Sequence, residues 1–186
     1  MNLYLIRHTE YDNPNHIYPF HLPLTLSDEG RERALKIGGW FKEQNIIELP
    51  IYASPIVRAF QTAEIIASQT NSHVYVDENI TETISKLQGK PMPRGDDWHE
   101  TYTPGIQESP ESMLKRMKIA FNTRVKDGID SIMVSHGDPL TLLYFYLLKR
   151  TPPLKLDQTA DYLKKGEILH LVMNEKRVIN FDSTYL

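Results

Sequence analysis

Cysteine is absent from this 186-residue sequence. Its absence excludes a disulfide scaffold, a cysteine-ligated zinc site, an iron–sulfur cluster and a cysteine nucleophile. An excess of one charge is missing too. Lys and Arg number 21 against 24 Asp and Glu, a net charge of −3, so no global basic surface offers itself to nucleic acid. Long hydrophobic runs are also lacking. The longest, Leu140 to Leu148, is about half a membrane span and ends in Lys149-Arg150. The N-terminal run Leu3–Ile6 is cut short by Arg7-His8, too early for a signal peptide. These absences lead us to expect a cytoplasmic protein without a membrane or nucleic-acid partner. For catalysis they leave His, carboxylates, Ser/Thr, Lys and Arg.

What is present suits one ordinary domain spanning 1–186, since 40% hydrophobic and 10% aromatic residues can fill a core. Leu3–Ile6, Ile51–Ala53, His73–Val76 and Ser131–Val134 read as short buried strands. Between them the pattern predicts helices. One is N-capped by Ser27, one starts at Pro55, and one runs from Ser109-Pro110 to about Asp127 with Gly128 as its stop. Another follows His136, and Ile168–Met173 with Arg177–Phe181 forms a hairpin around Asn174-Glu175-Lys176. Residues 10–25 and 83–109 read as loops, the second a lid-like insertion. Strand–helix alternation predicts an α/β fold, three layers α/β/α, with a mostly parallel, doubly wound sheet. In such a sheet ligands bind beyond the carboxyl ends of the strands.

Candidate chemistry falls at those ends. Arg7-His8 closes the first strand, Ser54 the second with Arg58 just inside the next helix, Glu82 lies beyond the third, and His136 ends the fourth. A single histidine at a strand end is ordinarily structural; four such coincidences along one sheet edge point to a site. Two arginines and a histidine can surround a tetrahedral dianion, and a neutral imidazole can attack phosphorus. The helix start after Gly137 adds a dipole that favours anions. A carboxylic acid would protonate the leaving oxygen and then deprotonate the attacking water, with no metal or cofactor required. A metal reading of His8, His16 and His21 is weak, because prolines intervene and i, i+4 spacing is absent.

These residues carry a resemblance. Leu5-Ile6-Arg7-His8-Thr9-Glu10, Leu26–Ala34, Ser54–Ala63, Ile80-Thr81-Glu82, Glu108-Ser109 with Arg116, and Val134-Ser135-His136-Gly137 stand in the order found in the histidine phosphatase superfamily, also called phosphoglycerate mutase-like. The resemblance covers residues 3 to about 150. It implies His8 as the phospho-accepting nucleophile, a phosphate pocket of Arg7, His8, Arg58 and His136, and Glu82 as proton donor, with Glu10 and Glu78 as rival carboxylates. Catalytic roles thus fall to His8, Glu82 and His136. Two departures stand out. Thr9 replaces the usual glycine, and Pro14 stands where the family places a phosphate-contacting asparagine, flanked by Asn13 and Asn15.

The acidic, glycine-containing stretch usual after the proton donor is also missing. Asn13, Asn15, His21, Lys86 and Arg94 are candidate substrate contacts, with Lys90, Trp98, His99 and Tyr102 nearby. The chain's length resembles the compact phosphatase branch, so the expected activity is metal-independent hydrolysis of a small phosphorylated metabolite through a phosphohistidine. A phosphoglycerate mutase-type phosphotransferase is the alternative. A monomer and a homodimer both stay open.

Overall fold

The computed structural model describes residues 1–93, 103–153, 155–174 and 177–186. Six strands form one sheet: β1 (Asn2–Arg7), β2 (Ile51–Ala53), β3 (Val74–Val76), β4 (Ser131–Ser135), β5 (Ile168–Asn174) and β6 (Arg177–Thr184). Their spatial order is β3-β2-β4-β1-β5-β6. β1, β2, β3 and β4 run parallel, and β5 and β6 close one edge antiparallel. The helices are α1 (Asp28–Glu43), α2 (Val57–Thr70), α3 (Pro110–Asp127) and α4 (Gly137–Leu147).

Alternation along β1 sorts the core. Leu3 and Leu5 face one side of the sheet, where Met117 and Phe121 of α3 and Leu140 and Leu143 of α4 pack. Tyr4 and Ile6 face the other, against Ile37 and Phe41 of α1 and Ala59, Ala63 and Ile66 of α2. The outcome is the expected three-layer α/β/α arrangement. Among the described residues no helix is long and apolar enough to cross a membrane.

Helix ends follow their local chemistry. Ser27 Oγ caps α1 by accepting the Gly30 N–H at 3.1 Å, and Ser109 Oγ caps α3 by accepting the Ser112 N–H at 3.2 Å. Gly128, at φ 69°, ends α3 in the left-handed conformation that glycine tolerates. α2 departs from expectation. It begins at Val57, and Ser54-Pro55-Ile56 makes a bend in which Ser54 Oγ accepts the Ile56 N–H at 3.3 Å and faces His136 at 2.9 Å. β3 starts at Val74, one residue late, and β6 continues to Thr184.

Gly30 fixes the path of the chain after β1. A Cβ on it would fall on the Glu10 carbonyl oxygen, so α1 lies directly against the segment that follows His8. Both described stretches of the 83–109 insertion are pinned to the body. Met92 N–H donates to His16 O at 2.9 Å, Tyr18 N–H to Lys90 O at 2.9 Å and Glu108 N–H to Ile84 O at 2.7 Å.

Candidate active site

The carboxyl ends of β1, β2 and β4 lie side by side, and His8 leaves β1 with its N–H donated to Ser135 O at 2.9 Å. The buried His8 ring donates Nδ1–H to Thr9 O at 2.7 Å, which leaves the lone pair on Nε2. Arg58 Nε donates to that lone pair at 3.1 Å. Burial first, then the charges of Arg58 and Arg7, pushes His8 well below the ordinary histidine range. The ring is therefore neutral at physiological pH.

Thr9 holds this geometry without the usual glycine. The Thr62 hydroxyl donates to Arg58 O at 2.8 Å and accepts the Thr9 N–H at 3.2 Å, so the two threonines tie β1's exit to α2.

Arg58 is the largest fully buried side chain, 1% exposed in the first turn of α2. Its Nη2 donates to His136 Nδ1 at 3.2 Å, and the opposite nitrogen of His136, Nε2–H, donates to Ser54 Oγ at 2.9 Å. Burial and the Arg58 charge hold His136 neutral as well. In this arrangement His136 orients Arg58, with both of its ring nitrogens engaged. It also stands at the N-terminus of α4 without a side-chain cap, which leaves that helix's dipole directed at the site. At the site, Arg58 Nη1 and Arg7 Nε are buried without a hydrogen-bond partner. Buried, unpaired cationic donors are costly, and both side chains line the same cavity as His8.

Glu82 follows the short 3₁₀ turn Glu78–Ile80, with Oε2 3.6 Å from Arg58 Nη2 and 3.5 Å from His136 Nδ1. Arg116 of α3 clamps the Glu82 loop, donating to Asn79 O at 2.9 Å, Thr81 O at 2.6 Å and Glu82 O at 3.1 Å. Glu108 in turn holds Arg116 at 2.9 Å. Burial raises the Glu108 carboxyl, but the Arg116 hydrogen bonds and charge outweigh it and hold the group below the usual range. His21, itself exposed, donates Nε2–H to Glu82 O at 3.0 Å and braces the same loop. The rival carboxylates lie elsewhere: Glu10 is paired with Arg33 at 2.9 Å, and Glu78 is exposed on the 3₁₀ turn.

Arg7, His8, Arg58 and Glu82 line a cavity of about 500 Å³. Asn13, Asn15, His21 and Lys86, expected as substrate contacts, are not on its wall, and neither is His136, expected in the phosphate pocket, which lies fully buried behind Arg58. Asn13 closes its own turn, accepting the Ile17 N–H at 3.2 Å and donating to Ile17 O at 2.8 Å. Asn15 and Lys86 are exposed, while Arg94, Trp98, His99 and Tyr102 lie outside the described residues. His16 donates towards Pro93 O at 3.3 Å, away from His8. Among the described residues no group of three or more His, Cys, Asp or Glu is arranged to hold a metal ion.

Three wall residues carried no sequence signal. Asp138, in the first turn of α4, accepts the Tyr162 hydroxyl at 2.9 Å. Burial, then the nearby Glu82 charge, pushes it up to about 7. Tyr162 lies between Asp138 and Arg7, whose Cζ sits 4.8 Å from the ring centroid while its Nη1 donates to Leu163 O at 2.7 Å. Gly137 makes room for it, since a Cβ there would meet the Tyr162 hydroxyl. Lys165 reaches in from the same loop, its Nζ 4.8 Å from the Tyr11 ring centroid, and Tyr11 in turn packs against His8.

Residues 3–177 match the family model of the histidine phosphatase superfamily, branch 1. The chain belongs to that superfamily. Within it, a 2,3-bisphosphoglycerate-dependent phosphoglycerate mutase of Thermoplasma acidophilum is 30% identical over 113 residues, which cover 53% of this chain and 52% of that one. Among solved structures, Bacillus stearothermophilus YhfR superposes with a TM-score of 0.81 at 23% identity, covering 95% of this chain and 93% of its own. The mycobacterial glucosyl-3-phosphoglycerate phosphatase Rv2419c gives 0.73 at 22% identity, covering 91% and 89%. These two structures share the histidine phosphatase fold with this chain. Membership of the superfamily and these relatives indicate phosphatase or mutase activity.

Proposed function

We propose that this histidine phosphatase superfamily member is a metal-independent phosphomonoester hydrolase that works through a phosphohistidine on His8. One observation carries the reading. Arg7 and Arg58 line the cavity with a neutral imidazole whose lone pair is on Nε2, and Arg58 Nε reaches that lone pair at 3.1 Å. This is the arrangement a phosphoryl dianion needs when a nitrogen is to attack it.

His8 Nε2 attacks phosphorus as the bond to the alcohol oxygen breaks. Phosphoryl oxygens take over the Arg58 N–H that otherwise satisfies the His8 lone pair. The Nδ1–H bond to Thr9 O stabilises the positive charge that develops on the ring. Glu82 gives its proton to the departing oxygen. It then takes one from the water that attacks phosphorus and breaks the N–P bond, releasing inorganic phosphate. Positioning and fixed charge supply most of the acceleration. His136 keeps Arg58 in register.

Mutases share this chemistry but return the phosphoryl group to the sugar acid. Hydrolysis is favoured by the short span between Glu82 and Ser109. The experiment is to incubate chelator-treated protein with an aryl phosphate, and separately with 3-phosphoglycerate. Phosphate release from the aryl ester, inhibited by vanadate, is expected. Isomerised phosphoglycerate without phosphate release would overturn the hydrolase assignment in favour of the mutase.

A further inference from the structure

Two adjacent lysines on the loop after α4 have opposite surroundings. Lys164 is exposed, its Nζ 5.1 Å from the Tyr185 ring centroid, whereas Lys165 is half-buried and lines the cavity with Arg7, His8 and Arg58. A tight turn sorts them. Glu167 N–H donates to Lys164 O at 3.0 Å and Lys164 N–H to Glu167 Oε2 at 2.7 Å. Gly166 holds the third position at φ 75°, the left-handed conformation that such a turn reserves for glycine. The turn is fastened to the strand that carries the nucleophile. Gly166 N–H is shared between Arg7 O at 3.0 Å and His8 O at 3.3 Å, and Arg7 N–H donates to Glu167 O at 3.3 Å. Lys165 is thus placed by the same backbone that places Arg7 and His8.

The Tyr11 ring brings the side chains together. Lys165 Nζ lies 4.8 Å and Arg58 Cζ 5.1 Å from its centroid, and the His8 ring packs on it at 5.4 Å. Among the described residues no carboxylate pairs with Lys165; Glu10, which attracts it, is held by Arg33 at 2.9 Å. Burial first, then the Arg7 charge, lowers the Lys165 ammonium from its ordinary value. A half-buried ammonium crowded by guanidinium charges is unfavourable until an anion arrives.

We propose that Lys165 is a third cationic ligand of the phosphoryl group, its ammonium donating to a non-bridging oxygen of the dianion that Arg7 and Arg58 hold against His8. This rests on the phosphate-binding reading above. The transferred group spreads its charge over three oxygens, and an ammonium on a flexible stem reaches one that the two planar guanidiniums leave free. The contact persists as phosphorus passes to His8, so it acts on the transition state as well as on binding.

The test titrates inorganic phosphate by calorimetry into wild type, Lys165→Met, Lys165→Arg and Lys164→Met. Inorganic phosphate carries no alcohol, so any loss belongs to the phosphoryl position. Lys165→Met keeps the stem and removes the charge; it should weaken phosphate about tenfold or more and lower kcat/KM for an aryl phosphate at least as far. Lys165→Arg should recover most of the affinity, and Lys164→Met should bind as wild type does. Without phosphate, the thermal midpoint of Lys165→Met should be no lower than that of wild type, since an uncompensated cation has gone. Unchanged phosphate affinity in Lys165→Met would overturn the proposal and leave the phosphate site intact. A lowered midpoint with an affinity loss that arginine does not restore would give Lys165 a structural role and overturn it too. Failure of wild type to bind phosphate would overturn the phosphate-binding reading itself.

Discussion

Residue chemistry at this site turns on which groups are kept neutral. His8 and His136 are buried close to Arg58 and stay uncharged, so under the proposed mechanism the positive charge offered to a phosphoryl group is that of Arg7, Arg58 and Lys165. Glu82→Gln tests the proton donor. Turnover of a poor leaving group such as an alkyl phosphate should fall by about 10²–10⁴, whereas an activated nitrophenyl ester should fall far less. Equal losses with both esters would remove Glu82 from that role.

Asp138 provides a second test through stability. Its folded value of about 7 lies above the ordinary carboxyl value, so between about pH 4 and 7 the native state holds a proton that the unfolded chain has lost. Its contribution to stability is full below that window and is lost as pH rises through it. Asp138→Asn keeps an acceptor for the Tyr162 hydroxyl and removes the titration. The thermal midpoint of the variant, measured against wild type, should therefore gain steadily from pH 4 to 7. A difference independent of pH would contradict the buried assignment.

At the scale of elements, α3 acts on the site without touching the phosphoryl position. Arg116 ties three carbonyl acceptors of the Glu82 loop, those of Asn79, Thr81 and Glu82, to Glu108. Arg116→Ala should lower kcat well below wild type with little change in KM, and destabilise the fold by roughly 2 kcal/mol, as Glu108 is left partly buried and unpaired. A kcat that is unchanged once loss of folded protein is allowed for would show that the clamp does not position Glu82. Gly30→Ala pushes α1 away from Glu10 and the chain after His8, with an expected cost of about 1–3 kcal/mol in chemical denaturation.

Particular elements also show what could be read in advance. Arg7, His8, Arg58 and His136 were legible because each sits at the end of a strand or in the first helical turn after one, where sequence pattern locates the sheet edge; Glu82, separated from β3 by the 3₁₀ turn, was legible from the order of the motifs. Asp138, Tyr162 and Lys165 were not. Tyr162 and Lys165 arrive on the loop after α4, through contacts with β1 that have no local signature, and Asp138 gains its significance from Tyr162. Asn13 was misplaced because its amide closes a turn with Ile17, a local bond that outcompetes any role at a distance.

The whole molecule gathers Arg7, Arg58 and Lys165 on the wall of one cavity although its net charge is only −3. The sheet achieves this by turning three carboxyl ends and the α4 N-terminus towards His8, while the insertion and the loop after α4 complete the wall. Absence of cysteine excludes a thiolate nucleophile, and the proposed route to a covalent intermediate runs through the nitrogen of His8. The most direct measurement is therefore rapid acid-free quenching during turnover of a labelled phosphomonoester, followed by peptide mapping. The account predicts an acid-labile, base-stable phosphoryl group on His8, absent together with turnover in His8→Ala. Sustained turnover by His8→Ala, or label on another residue, would contradict it.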